Sequence, residues 1–560
     1  MTQDDRIAAN SDAISANADA IKANAEAIRK QTEYLHEIRN HFIPEEEARF
    51  KRFAKYVVSP LVKTIALIAF IGGLWDAIAW VMARYEIKVM ADRYARVAED
   101  VYYNENNPDV AAAFLDKAID LRDGDADYRF LRAYMQGMAV TRRLLNLDRP
   151  LSKKELDEAH TAYAEARFLQ GLRPNRPEPY VLQAQILASL KETERAEAAL
   201  AKAQKIAPRN AFVHLRMAQI RMDRKEVAGA KAALDEAQRI DPSSKWVWLW
   251  KGVLAKELEG DCETARKCYE KSLEIDPKFD MAWYNLAWTW MHKSSKNYAK
   301  ARECLQKALA LNPDYKEACY AMGMSYGYED NYPVANTWMD KAIAIDGTFL
   351  SAHKWRGIIC GEMSQHEEAI KSFGSAILLD PMNADLYVRR AKMSVALGKL
   401  DDALRDLNFA YELDPKAKRT LLYLGDVYRK AANDERALAF YDKAIDVDKR
   451  YDDAYARKAE ILANMGKLDE ALAAIDQAIA VTTYKVERFW VKKGDILDAT
   501  GKSSDAVECY AKARTIAPRF AEAWKKEAMT LRKLGKAAEA KAAATAYLEL
   551  VPTDEDFRGK

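Results

Sequence analysis

Gly501-Lys502-Ser503 has the ending of a phosphate-cradling loop, in which backbone amides and a lysine hold the phosphates and a hydroxyl meets the metal. That loop needs a glycine five residues before Gly501, where Ile496 stands, and no strand-like run precedes it. The tripeptide therefore reads as a turn between two helices. The six cysteines are Cys262, Cys268, Cys304, Cys319, Cys360 and Cys509; none form a Cys-x-x-Cys pair, the spacing that metal or redox chemistry uses. Cys304 and Cys509 fall beside apolar positions of the pattern described next, so buried free thiols are expected, as in a reducing compartment. The seven histidines do not cluster, and His214 and His353 occupy slots where that pattern places a packed ring. No catalytic residue, cofactor site or metal site is expected, and the chain does not read as an enzyme.

The elements that hold these residues declare themselves through one alanine. It recurs as Ala196, Ala230, Ala265, Ala301, Ala335, Ala369, Ala403, Ala437, Ala471, Ala506 and Ala540, in steps of 34 to 36 residues. Such a period marks stacked helical units. Usually twelve residues before it lies a small residue, such as Ala184, Gly357, Ala391 or Gly425. Before Ala265 the interval is thirteen, and before Ala301 it is fourteen. Four residues after it comes a bulky apolar one, such as Leu200, Tyr269, Phe373 or Leu407, and seven after it a small one again. Offsets of four and seven share one helix face. Proline closes most units, for example at Pro208, Pro277, Pro381 and Pro518. Within the later units, Gly398-Lys399-Leu400-Asp401, Gly466-Lys467-Leu468-Asp469 and Gly501-Lys502-Ser503-Ser504 read as turns. The glycine would end one helix in a left-handed conformation, and Asp or Ser would cap the next.

This spacing resembles the tetratricopeptide repeat family over residues 177–552, as eleven units. Residues 91–176 read as degenerate helices of the same kind, with Tyr102, Ala111, Leu115 and Ala118 near the expected places and an insertion around Leu147 to Lys153. The resemblance implies an all-α, right-handed solenoid whose first helices line a concave partner groove. Carried over position by position, the groove residues would be Trp246, Leu249, Val253, Met281, Tyr284, Trp288, Met291, Tyr320, Met324 and Tyr328. Later units would present Lys392, Arg419, Asp426, Arg429, Asp453, Glu460, Arg488, Asp495 and Asp498. The groove would thus change from apolar-aromatic to mixed-charge. The same rings could instead complete packing between repeats or meet the chain's own amino-terminal helices. In the final unit Ala544 and Tyr547 replace the large-small pair, and residues 553–560 form a tail.

Ahead of the repeats stands a shorter rhythm. Ile7, Ile14, Ile21, Ile28 and Leu35 are spaced by seven, with Asn10, Asn17 and Asn24 three residues after the first three. A heptad with isoleucine at one seam position and asparagine at the other predicts a coiled coil over residues 1–43, probed first as a trimer. It resembles the Ile-x-x-Asn stalks of trimeric adhesins and phage fibres, where inward asparagines can surround an anion. A single amphipathic, alanine-rich helix is the other reading. Residues 44–90 hold a charged linker and then the apolar run 57–83, which is long enough to cross a bilayer at ~20 residues per span; the helix is expected at about 61–83. Asp76 inside it would cost about 2.5–3.5 kcal/mol unless it faced a bundle interior, which an oligomer would supply. A buried helix or a surface hairpin at Gly72-Gly73 is the alternative. Five basic residues on one flank against four on the other leave the orientation open.

Lysine plus arginine total 87 against 85 acidic residues, for a net charge of +2, which argues against a nucleic-acid surface. The expectation is a single-pass, membrane-anchored, homo-oligomeric scaffold that binds proteins or peptides in its groove. The alternative is a self-assembling structural protein that builds or coats a membrane-associated complex.

Overall fold

The computed structural model describes residues 74–105, 107–554 and 557. The heptad of residues 1–43 and the charged linker lie outside them. So does most of the expected membrane span; residues 74–83 of that span open the helix Leu74–Glu105. Among the described residues no helix is long and apolar enough to cross a membrane, and all regular structure is helical.

These residues divide into two compact units, one reaching Asn146 and resuming over Leu151–Trp250, the other comprising Leu147–Pro150 and Lys251 onward. In the first, Leu74–Glu105 packs on Pro108–Leu121, followed by Ala126–Leu145 and Lys153–Leu172. Side chains mark the starts: Asn107 accepts from the Val110 amide, Asp125 from those of Asp127 and Tyr128, and Ser152 forms a reciprocal capping box with Glu155. Tyr102 is buried against Tyr134, hydroxyl to hydroxyl at 3.0 Å, and its ring meets Phe212 edge-on at 5.8 Å. The pairs Glu178–Ser189 with Thr193–Ile206 and Ala211–Asp223 with Val227–Ile240 complete this unit, together with the start of Lys245–Leu254.

The second unit continues the pairing from Cys262–Ile275 through Asp280–Met291 with Tyr298–Leu311 to Ala521–Lys533 with Ala537–Leu550. Each recurring alanine is 0–2% exposed. Where the interval before it is thirteen, the extra residue is absorbed as a π turn, Ala255–Glu259, closed by left-handed Gly260. Where it is fourteen, the loop from His292 to Asn297 takes up the two.

The small and bulky positions are matched in size. Gly252, Gly357, Gly425 and Gly494 face Tyr269, Phe373, Tyr441 and Tyr510, and Gly323 faces Met339. A Cβ on any of these glycines would lie under 3 Å from the opposing side chain. Where the opposing residue is Leu407 or Ile475, the small residue is Ala391 or Ala459. A ring needs the space of a methyl; leucine or isoleucine does not.

The turns correct one expectation. Gly398, Gly466 and Gly501 are left-handed, at φ 75°, 76° and 85°. The residues capping the following helices are Lys399, Lys467 and Lys502, and none makes a side-chain cap bond. The helix starts two residues earlier than expected, so Asp401 and Asp469 sit inside its first turn, where their charge meets the positive end of the helix dipole. Ser503 donates instead to Asp498.

Candidate partner-binding faces

The first helices of six pairs are anchored by a polar-tipped ring. Tyr180, Trp283, Tyr387 and Trp524 donate to the carbonyl six residues earlier, at 2.9–3.3 Å. His214 and His353 do the same through Nε2, at 3.0 Å, which makes Nε2 the protonated nitrogen. These histidines are packing residues in the aromatic slot. All six cysteines are buried and free; burial pushes the Cys304 thiol up to about 11.

The ten groove candidates fall in both units. In the first, Trp246 is half-buried and Leu249 is buried. In the second, Met291 and Met324 are buried, while Val253, Met281, Tyr284, Trp288 and Tyr320 are half-buried. Tyr328 is 46% exposed. Rings of the second unit join four of them into a ladder. Tyr284 meets Trp288 edge-on at 6.3 Å and Tyr315 at 5.1 Å. Tyr320 meets Phe349 at 5.4 Å, and Tyr328 meets Trp355 at 5.8 Å. Burial pushes the Tyr284 hydroxyl up to about 12. Lys316 lies 5.1 Å over the Phe349 ring and pairs with Asp346 at 2.6 Å.

Tyr315 and Phe349 were not among the candidates. They stand just before their helices, as do Phe279, Tyr451 and Phe520. That recurring aromatic is a periodic signal in its own right.

The charged stretch behaves differently. Asp385 accepts from Arg389 at 2.6 Å and pairs with Lys354 at 3.2 Å and Arg419 at 3.3 Å. Burial works against its ionisation, yet Arg389 and Lys354 hold its carboxyl below the usual range. Asp426 pairs with Arg457, Glu460 with Arg429 and Lys492, Asp453 with Arg488, Asp495 with Lys526, and Asp498 with Lys533. Most of these pairs link successive first helices about 31–35 residues apart. Each contributes only about 0–1 kcal/mol, but together they neutralise the face from within. The aromatic stretch leaves Tyr328 exposed, whereas the charged stretch spends its charges on itself.

Among the described residues, no three His, Cys, Asp or Glu side chains converge as a metal site. Tyr269 holds a buried hydroxyl with no hydrogen-bond partner. Its counterparts Tyr441 and Tyr510 donate to Asp426 and Asp495 at 2.8 Å, whereas Val253 stands in the corresponding place beside Tyr269.

Three family models, each described as tetratricopeptide repeat, match this chain. One covers residues 177–210 and 247–279, another 268–303, and the third 394–456, 456–519 and 491–555. Anaphase-promoting complex subunit 3 of Schizosaccharomyces pombe is 25% identical over 143 residues, which is 26% of this chain and 22% of that protein. A TPR repeat-containing protein of Methanocaldococcus jannaschii is 25% identical over 276 residues, 46% of this chain and 47% of that one. The chain spans less than half the length of these curated relatives. Among solved structures, YrrB, titled a TPR protein with an unusual peptide-binding site, is 23% identical and aligns over 34% of this chain and 96% of its own, with a TM-score of 0.30. Yeast Tom70 is 17% identical over 78% of this chain and 99% of its own, with a TM-score of 0.38. The 34-residue period, the buried alanines and these family matches agree: this chain carries tetratricopeptide repeats, stacked as an all-α solenoid.

Proposed function

We propose that this chain is a non-catalytic scaffold that gathers partner proteins or peptides on the aromatic face of its first helices. The observation that carries the reading is the ladder Tyr284–Trp288, Tyr320 and Tyr328–Trp355, half-buried rings on consecutive repeats ending in an exposed tyrosine. Rings of this kind add large contact area at low entropic cost. On this reading Val253 and Met281 extend the same face, Met291 and Met324 support it from beneath, and Trp246 and Leu249 present a corresponding face on the first unit. The heptad residues Ile7 to Leu35 multiply copies, as a trimer first, and the apolar run 57–83 holds them on a membrane. Several faces on one stem gain avidity for a multivalent partner.

The test is capture of partners from cell extract by the full chain, compared with Tyr328→Ala and with Leu378→Ala, a residue 83% exposed elsewhere. Loss of the same captured proteins with Tyr328→Ala, and not with Leu378→Ala, supports the scaffold; equal capture by both sinks it. Cross-linking of residues 1–43 to trimers, and retention of the full chain with membranes after alkaline washing, would support the stem.

A further inference from the structure

The helix Leu74–Glu105 runs without a break from the end of the apolar run 57–83 into the first unit. Its packing there begins at Ala91, which is buried, and continues through Ala95, Ala98, Val101 and Tyr102. Every residue from Arg84 to Met90 is exposed, and four of these seven are large and apolar: Tyr85, at 60% exposure, with Ile87, Val89 and Met90. At about 100° per residue, Tyr85 and Val89 lie on one side of the helix, and Ile87 and Met90 on the other. A partner helix, or the inward side of a bundle, covers a single stripe. A lipid layer covers all sides, and its headgroup zone also suits Tyr, Lys and Arg.

One side chain marks the level at which the helix enters the unit: the Tyr128 hydroxyl donates to Asp92. Tyr128 lies in the first turn of Ala126–Leu145, so the loop Arg122–Asp125 sits beside Asp92. Arg173 and Arg176, just ahead of Glu178–Ser189, join the same edge by pairing with Asp127 at 3.2 and 3.6 Å. Residues 84–96, 122–129 and 173–176 together carry eight basic and five acidic residues, in a chain whose charges otherwise nearly cancel. Most of the acids are engaged: Asp123 with Arg129, Asp125 with Arg122, Asp127 with Arg173 and Arg176, and Asp92 with Tyr128. Lys88 and Arg96 are exposed and meet no carboxylate among the described residues. From Ala83 to Asp92 the helix rises about 14 Å, at ~1.5 Å per residue. The headgroup zone occupies about 5–8 Å on one side of a bilayer, and arginine side chains on this edge reach across the rest.

We infer that this edge of the first unit, formed by Lys88, Arg96 and the loops at Arg122–Asp125 and Arg173–Arg176, docks on the anionic headgroups of a bilayer, while Arg84 to Met90 cross the headgroup zone. The inference rests on the membrane reading of residues 57–83 above and adds a second, electrostatic contact with the same membrane. The unbroken helix leaves no flexible tether between span and repeats, so the first unit is mounted on the surface in one orientation, with its loop edge towards the lipid. Surface attraction of this kind acts over about 8–10 Å at ordinary salt, which the helix rise from Ala83 to Asp92 allows.

The test uses the full chain in vesicles of phosphatidylcholine, or of equal parts phosphatidylcholine and phosphatidylserine, each containing lipid spin-labelled on its headgroup. A fluorophore is attached through Tyr85→Cys, through Asn175→Cys on the loop edge, or through Lys191→Cys beyond the opposite end of Glu178–Ser189, a helix of 12 residues and so about 18 Å long. The six native cysteines are buried, and the unsubstituted chain gives the background. Quenching at positions 85 and 175 should exceed that at 191 at least ~2-fold. At 175 it should be stronger in the phosphatidylserine vesicles and fall as salt is raised. Lys88→Gln combined with Arg96→Gln should remove at least about half of that gain and leave retention after alkaline washing unchanged. Equal quenching at 175 and 191, or quenching at 175 that neither phosphatidylserine nor the double variant alters, would overturn the inference. Disulfide cross-linking of Tyr85→Cys between copies, without quenching there, would assign the stretch to a second copy and overturn it too. Should the chain resist alkaline washing and yet give any of these results, this inference falls and the anchor stands. Should it wash off, both fall.

Discussion

Gly357→Ala places a methyl where the Phe373 ring already lies. Its Cβ would sit 2.7 Å from Cε1, 2.8 Å from Cζ and 2.9 Å from Cδ1 of that ring. Phe373 is 1% exposed, so the ring has nowhere to move. Overpacking of this kind costs about 1–3 kcal/mol, and alanine's better helix propensity offsets about 1 kcal/mol. The net expectation is a loss of up to about 2 kcal/mol. Phe373→Leu alone opens a void and should lose about 1–2 kcal/mol. Together they recreate the pairing already present as Ala391 with Leu407, and the double variant should return to within about 0.5 kcal/mol of wild type, the usual limit of additivity error. The coupling is then favourable by roughly 1–4 kcal/mol, above that error. Stacked repeats open locally, so the measurement is native-state amide exchange across residues 350–379, with urea unfolding of the whole chain beside it. If the double variant loses the sum of the two single losses, the size-matching argument is wrong.

Ala432 holds the left-handed turn position at φ 56°, where glycine sits at Gly398 and Gly466; Ala432→Gly should stabilise its pair by about 1 kcal/mol, read as slower exchange in residues 418–447. Tyr269→Phe removes a buried hydroxyl without a partner and should be neutral or stabilising, whereas Tyr510→Phe strips Asp495 of a donor at 2.8 Å and should cost about 1–2 kcal/mol, both read by urea unfolding. Asp385 has its folded pKa held below the unfolded value, so its stabilisation is present above the unfolded pKa and is lost as pH falls through the folded one. Asp385→Asn should therefore flatten the decline of stability below about pH 4, the ordinary aspartate range, in thermal melts taken as a function of pH.

Much of this architecture is legible in the residues alone. The alanine period, the closing prolines and the left-handed glycines all mark contacts between neighbours in the chain, so a pattern of 34 residues suffices to place them. The matching of Gly with aromatic rings and of Ala with Leu or Ile also stands in the sequence, as a correlation between two positions sixteen to eighteen residues apart. The reading of Asp401 and Asp469 as caps fails by two residues, because the left-handed turn lets the helix begin sooner. The face candidates divide in a way that types alone do not reveal. Met324 and Tyr328 are one helical turn apart, yet the first is buried and the second exposed.

The amino-acid sequence by itself determined the repeat, its helix pairs and the positions that pack them, because each repeat touches chiefly its neighbours and the same contact recurs. Tertiary structure alone decided which charges on the face are already paired, which rings are covered by the next repeat, and that Asp148 closes a helix some two hundred residues away. Those outcomes depend on where distant segments come to lie in space, and no local period carries that information.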